Sequence, residues 1–302
     1  MQKPDDAHAY KSGFVAVMGR PNVGKSTLIN ALLRQKIAAV SPRPQTTRKR
    51  QMGILTSDQV QAIFVDTPGF HKPLHKLGEN MNKEAIDALQ ESDAILFLVD
   101  ASQPPQAEDE MLAQQLRAAG RPAPTLLALN KIDSVDADTL QANRTAFEDM
   151  LSGVESLPIS ATRGDNLDRL IQILTDWLPE GPAFFPENQI TDLYERDIAA
   201  DLIREAALNL LRDEVPHGIA IRIDQFLERD DSGAYIEATL FVERESHKGI
   251  VIGQNGSMLK KIGTAARLAF EATSGRKVFL RLRVKVRKNW RNDEKVLRSF
   301  GF

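Results

Sequence analysis

Eight residues near the start of the chain, Gly19-Arg-Pro-Asn-Val-Gly-Lys-Ser26, place two glycines, a lysine and a serine at the intervals of a phosphate-binding loop. Glycine at 19 and 24 permits backbone angles that turn successive N–H groups inward around phosphate oxygens. The helix expected to follow adds the partial positive charge of its N-terminus. Lys25 would reach the β- and γ-phosphates, and the Ser26 hydroxyl would ligand Mg2+. A chance match in a chain this long has a probability on the order of one percent, so a bare glycine loop is the weaker reading.

Two further motifs give this loop partners. Asp66-Thr-Pro-Gly69 ends an apolar run; beside a phosphate loop its carboxylate can hold Mg2+ through water, and Gly69 offers an N–H to the γ-phosphate. Asn130-Lys-Ile-Asp133 ends another. A carboxylate at 133 can accept from both N1–H and the exocyclic amine of guanine, a donor pair that adenine lacks, so GTP is expected rather than ATP. Ser160-Ala-Thr162, at the next strand end, can aim a backbone N–H at guanine O6.

These motifs must be held by strands and helices, and the pattern supplies them. Apolar runs at 14–18, 62–65, 94–99, 125–129 and 157–159 alternate with helical stretches at 25–33, 83–89, 108–119, 140–150 and 167–178. Near-continuous apolar runs suit strands covered on both faces. The expectation is an α/β phosphate-loop domain, a mainly parallel sheet with helices on both faces and its ligand beyond the carboxyl ends of the strands.

The chain has 302 residues, 42% hydrophobic and 26% charged, which suits two globular domains and excludes disorder or a repeat array. It has no cysteine, so disulfides, thiolate metal sites and cysteine nucleophiles are excluded; a reducing, cytoplasmic setting is expected. No apolar run approaches a membrane span or a signal peptide. The net charge of −2 hides an asymmetry: −4 over residues 1–180, −9 over 181–245 and +11 over 246–302. So basic a final stretch points to an anionic partner. Within it Arg281, Arg283, Lys285 and Arg287 alternate with apolar residues, the pattern of a strand with one charged and one apolar face. Three prolines and a glycine between Leu178 and Pro186 mark a linker at 181–190. Beyond it come a helix over 191–214, then strands over 219–227 and 234–242, joined by a hairpin at Asp230-Asp-Ser-Gly233. A Gly-x-x-Gly loop, Gly253-Gln-Asn-Gly256, follows with a helical pattern after it. Glycines so spaced let the backbone approach a sugar-phosphate chain, and an apolar groove beside them accepts unstacked bases.

The ordered set Gly19 to Ser26, Asp66 to Gly69, Asn130 to Asp133 and Ser160 to Thr162 resembles the translation-factor-related GTPases, and the wording of the phosphate loop is that of their Era and Der branch. Val251-Ile-Gly-x-x-Gly-x-x-Leu259, with Lys248, Lys260 and Lys261 beside it, resembles a K-homology domain of the bacterial α+β variant, type II. A GTPase followed by such a domain is the architecture of the Era family. The resemblance implies a GTP-binding domain over 1–180, the linker at 181–190 and an RNA-binding domain over 191–302.

It also implies a set of site residues. Gly19, Arg20, Pro21, Asn22, Val23, Gly24, Lys25, Ser26 and Thr27, with Asp66, Thr67, Pro68, Gly69 and Phe70, would contact the phosphates, and Asn130, Lys131, Asp133, Ser160 and Ala161 the base. Ser26, Asp66 and a switch threonine, Thr47 or its neighbour Thr46, would hold Mg2+; Lys25, Thr47, Asp66 and Gly69 would serve hydrolysis. Phe70 stands where many GTPases have the glutamine that orients the attacking water, so hydrolysis of GTP to GDP and phosphate should be slow. Asn22 resembles an asparagine that coordinates K+ in some relatives. His71 reads as a loop residue rather than a base. Lys248, Ile250, Ile252, Gly253, Gln254, Asn255, Gly256, Lys260, Lys261, Arg281 and Arg283 would meet RNA. The implied role is a monomeric switch that binds small-subunit ribosomal RNA near its 3′ end during ribosome assembly. It would not bind DNA, and any contact with the inner membrane would be peripheral. A GTP-dependent RNA-modifying enzyme or another RNA-binding regulatory GTPase is the alternative, and no extra catalytic cluster in the second half supports the former.

Overall fold

The computed structural model describes residues 9–41, 47–120, 123–229 and 233–302. Asp230, Asp231 and Ser232, three of the four residues of the expected hairpin turn, lie outside these residues, as does Thr46, the neighbour of Thr47 offered as switch threonine. The chain forms two compact units, each drawn from separate stretches. The first takes residues up to 34, 50–70 and 85–192; the second takes 35–49, 71–84 and 193–302.

The first unit is built on a six-stranded sheet of order β2-β3-β1-β4-β5-β6. Its strands are β1 (Lys11–Met18), β2 (Gln51–Thr56), β3 (Val60–Asp66), β4 (Ala94–Asp100), β5 (Thr125–Asn130) and β6 (Glu155–Pro158). All neighbours are parallel except β2 with β3. β3, β4 and β5 are buried along their whole length, as near-continuous apolar strands must be when both faces are covered. Helices α1 (Lys25–Leu33), α2 (Lys76–Glu91), α3 (Ala107–Ala118), α4 (Ala137–Met150) and α5 (Leu167–Trp177) fill the crossovers.

Local signals set the boundaries. At α3 the Gln106 side chain and the Asp109 carboxylate cap each other's backbone N–H groups reciprocally, and at α4 the Asp136 carboxylate accepts from Thr139 N–H. The core joins Met18, Phe97 and Phe147 with Ala85, Ala88 and Leu89 of the second half of α2. Sequence reasoning missed β2, whose six residues carry two polar ones and a glycine. It also placed the start of α2 seven residues late, because lysines, asparagine and glycine interrupt the apolar stripe there.

The expected linker is not a free tether. The Gln61 amide donates to Phe185 O at 2.9 Å and accepts from Phe184 and Phe185 N–H, and Ser12 Oγ donates to Pro182 O. The Phe184 ring lies 5.2 Å from that of Phe14. Residues up to 192 therefore cluster with the first unit.

The second unit carries α6 (Glu195–Leu210), β7 (Ala220–Arg229), β8 (Gly233–Val242), α7 (Glu245–Ile252), α8 (Ser257–Ser274), β9 (Lys277–Val286) and α9 (Glu294–Ser299). Its sheet has the order β7-β8-β9, with β7 and β8 antiparallel and β8 and β9 parallel. One sheet face packs on α6, α7 and α8 through Leu202, Ile203, Ile236, Leu240, Ile262 and Phe270. A smaller core gathers Phe241, Trp290, Val296, Leu297 and Phe300, with Leu77 and Met81 of the first half of α2. α9, which sequence reasoning missed, is capped by the Asp293 carboxylate.

Candidate functional site

The phosphate loop leaves β1 and enters α1 at Gly24, whose φ of +103° and close approach to Asn130, 2.4 Å from where a Cβ would stand, admit glycine alone. Lys25 is buried, and its ammonium donates to the carbonyls of Gly19 and Arg20 at 3.1 Å each. Burial lowers its pKa to about 8, partly offset by Asp66. Arg20 is steered away from the loop by Asp109, with Nε 3.2 Å from its carboxylate, and by Gln103. Asn22 has a φ of +66°, the left-handed region that asparagine tolerates.

Ser26 Oγ lies 2.7 Å from Asp66 Oδ2, so two of the three residues expected to hold a metal are brought together. A hydroxyl and a carboxylate at a helix N-terminus form a hard-oxygen pair of the kind Mg2+ takes, with phosphate and water filling the remaining positions. The third, Thr47, is buried within the stretch that clusters with the second unit. Thr67 fixes the turn after β3 by donating to Val17 O at 2.8 Å. Gly69 packs so closely on Pro21 that a Cβ would stand 2.8 Å from its backbone, and Phe70 N–H donates to Gly19 O. The Phe70 side chain is buried in the core beside the sheet and has no means of orienting a water molecule.

At the base site, Asp133 is exposed while its carboxylate accepts from Ser160 Oγ at 2.6 Å. That bond, above all, lowers its pKa, so the acceptor is ionised and aimed. Lys131 Nζ is held by Asp100 at 2.7 Å. Asn130 is buried and works as a strut: its Nδ2 donates to Val23 O at 2.8 Å and its Oδ1 accepts from Ala161 N–H at 2.9 Å. Of the tripeptide Ser160-Ala-Thr162, expected to aim a backbone N–H at guanine O6, the Ala161 N–H is therefore engaged by Asn130 here. Neither the strut nor the Ser160–Asp133 bond was visible in the sequence, where the partners stand 31 and 27 positions apart.

In the second unit the Gly-x-x-Gly turn joins α7 to α8, with Gly253 at a φ of +71° and Gly256 at +77°. No acidic residue occupies the first turn of α8, whose positive end is left open to an anion. Beside it runs a groove of about 350 Å3 lined by Gly256, Leu259, Lys260, Gly263, Thr264, Arg267, Leu280 and Leu282. Of the expected RNA-binding residues, Gly256 and Lys260 line this groove. Ile250, Gln254, Asn255 and Lys261 are exposed near it in sequence, while Lys248, Ile252 and Gly253 are half-buried. Arg281 and Arg283 are placed elsewhere. Alternation along β9 turns Leu280 and Leu282 into the groove and both arginines to the opposite face of the sheet.

Known families and proteins match this arrangement. The family described as 50S ribosome-binding GTPase matches residues 14–131, and the KH domain family matches residues 214–291. GTPase Era of Ruminiclostridium cellulolyticum is 47% identical over 97% of this chain and 98% of its own length. GTPase Era of Clostridium botulinum is 46% identical over the same shares. Among solved structures, Era in complex with MgGDPNP and nucleotides 1506–1542 of 16S ribosomal RNA superposes with a TM-score of 0.91 at 40% identity, covering 97% of this chain and 99% of that one. A single-residue variant of Aquifex aeolicus Era bound to GDP.AlF4- also gives 0.91 at 40% identity, covering 96% and 99%. With the Gly19–Ser26 loop, the Asp133 carboxylate held by Ser160 and the Gly-x-x-Gly groove all in place, this chain belongs to the Era family of GTPases.

Proposed function

We propose that the chain is a guanine-nucleotide switch that binds small-subunit ribosomal RNA near its 3′ end and serves the assembly and maturation of the small ribosomal subunit. One observation carries the reading. A preset guanine acceptor, Asp133, and a groove floored by Leu280 and Leu282 and rimmed by Lys260 and Arg267 occur on one chain. The similarity to an Era protein solved with MgGDPNP and 16S ribosomal RNA supports it. Residues 1–180 are the GTP-binding part, 181–190 the connector and 191–302 the RNA-binding part.

Ser26 and Asp66 would hold Mg2+, with Thr47 as the switch threonine of this reading, and the ion would neutralise charge on the β- and γ-phosphates. Asn22 would supply a ligand for K+. Lys25 and the Gly69 N–H position the γ-phosphate, and with Phe70 locked in the core no side chain at that place prepares the water, so turnover is slow. The protein works as a monomer in the cytoplasm, where its RNA is, and any association with the inner membrane is peripheral. No helix among the described residues is long and apolar enough to cross a membrane.

The test is binding of a short single-stranded RNA from the small-subunit 3′ end to protein loaded with GDP or with a non-hydrolysable GTP analogue, at fixed salt. Tighter binding with the analogue is expected. Equal affinity in both states would overturn the switch, and no binding in either would overturn the choice of RNA.

A further inference from the structure

The face of the β7-β8-β9 sheet opposite the helices is unlike an ordinary solvated face. Phe279 on β9 is 61% exposed, and its ring stacks on that of Tyr235 of β8, with centroids 5.5 Å apart and planes 7° from parallel. The pairing of Tyr235 with Phe279 and of Tyr235 with Leu227, itself 45% exposed, puts the three side by side across the strands. β9 is the edge of the sheet, so among the described residues no strand covers the outer side of Phe279. Two and four positions further along the same face stand Arg281 and Arg283, held in parallel by the two oxygens of Glu237 at 3.1 and 3.3 Å. Two guanidiniums against one carboxylate leave a surplus of positive charge beside the rings.

The geometry points to this face as a second RNA-binding surface, on which a nucleobase flanking the segment held in the groove stacks against Phe279 while Arg281 and Arg283 meet its phosphates. Aromatic rings on a sheet flanked by cations bind bases regardless of sequence, because every base has a π-face. A K-homology groove clamps only about four nucleotides, so a longer RNA must continue past it. β9 borders both surfaces, with Leu280 and Leu282 in the groove and Phe279, Arg281 and Arg283 on the other side. A protein partner fits less well: two rings and one leucine inside a cationic rim fall short of the apolar centre expected of the roughly 800 Å2 per partner of a stable interface.

The inference depends on the RNA reading above, and the experiment separates the two. The full chain, loaded with the GTP analogue, is titrated with a short groove-length RNA and with the same RNA extended by unstructured nucleotides at one end or the other. The wild type should bind one extended RNA at least about tenfold more tightly. Phe279→Ala should lose most of that gain while binding the short RNA unchanged; Phe279→Trp should keep it, and the double variant Arg281→Gln with Arg283→Gln should reduce it and flatten its salt dependence. A 2-aminopurine in the extension should be quenched by the wild type and not by Phe279→Ala. If the short RNA binds and Phe279→Ala keeps the full gain, the inference is wrong and the surface serves a protein. If neither RNA binds the wild type, the ribosomal RNA reading fails and takes this one with it.

Discussion

Lys25 is an ammonium sunk among carbonyls, and its chemistry in the empty protein differs from that in the loaded one. Burial brings its pKa to about 8, against 10.5 in an unfolded chain. Between those values the folded empty protein holds fewer protons than the unfolded chain, so this residue makes stability rise as pH rises through that window. Phosphates placed against Lys25 favour its charged form, so nucleotide binding should recapture the proton. Calorimetric titration with GDP in two buffers of different ionisation enthalpy should show uptake approaching one proton at about pH 9 and almost none at about pH 6.5. Affinity should fall as pH climbs above 8; pH-independent binding without proton uptake would refute the assignment. Asp133 makes a second residue-level case. The Ser160 hydrogen bond lowers the pKa of its carboxylate, and Asp133→Asn replaces one acceptor oxygen by a donor at nearly unchanged volume. GTP affinity should drop on the order of a hundredfold, and xanthosine triphosphate should bind better than GTP. Competition binding of the two nucleotides would decide it.

Elements were legible where one local signal governs them. α1 begins and ends where the sequence places it because a glycine cap opens it and a residue in the left-handed region closes it. β4 and β5 were visible as unbroken apolar runs. β2 and α9 were not, since each is short and owes its stability to what it packs against: β2 to its antiparallel pairing with β3, α9 to Trp290. The Tyr235–Phe279 stack was hidden for the same reason: 44 positions separate the rings until the register of β8 and β9 aligns them. The Gly-x-x-Gly turn shows how far sequence reaches and where it stops. Both glycines were expected to face RNA, yet they differ structurally. A Cβ at Gly253 would stand 2.8 Å from Met258 N, whereas one at Gly256 meets nothing within 4 Å. Gly253→Asp should therefore damage the α7–α8 junction and lower the melting temperature. Gly256→Asp should cost only about 1–2 kcal/mol for its left-handed conformation and abolish RNA binding by placing a carboxylate at the groove. Both should bind GTP as the wild type does; loss of GTP binding in Gly256→Asp would contradict a division of labour between the two halves.

For the molecule as a whole, charge and composition pointed to an anionic partner for the second half and read the boundary along the chain alone. Proline and glycine placed a cut near residue 185. They could not show that stretches 35–49 and 71–84 fold with the second unit. Trp290 explains why those stretches matter. Its indole is fully buried and donates to Gly218 O at 3.0 Å. The guanidinium of Arg48 lies 5.7 Å from its ring centroid while donating to the carbonyls of Ile219 and His217. Leu77 and Met81 complete the cluster. A fragment of residues 191–302 contains the whole K-homology sheet and groove but neither Arg48 nor these two apolar side chains. Removing two buried large aliphatic side chains costs about 2–5 kcal/mol each where they leave a cavity, a large share of a small domain's stability. The fragment should therefore melt well below the corresponding transition of the full chain, and Trp290 should fluoresce at longer wavelength, in contact with water. Its groove lies on the other side of the sheet, so at low temperature short RNA should still bind. A fragment with full-chain melting temperature and blue-shifted tryptophan emission would show that 191–302 is self-sufficient and that residues 35–49 and 71–84 merely rest upon it.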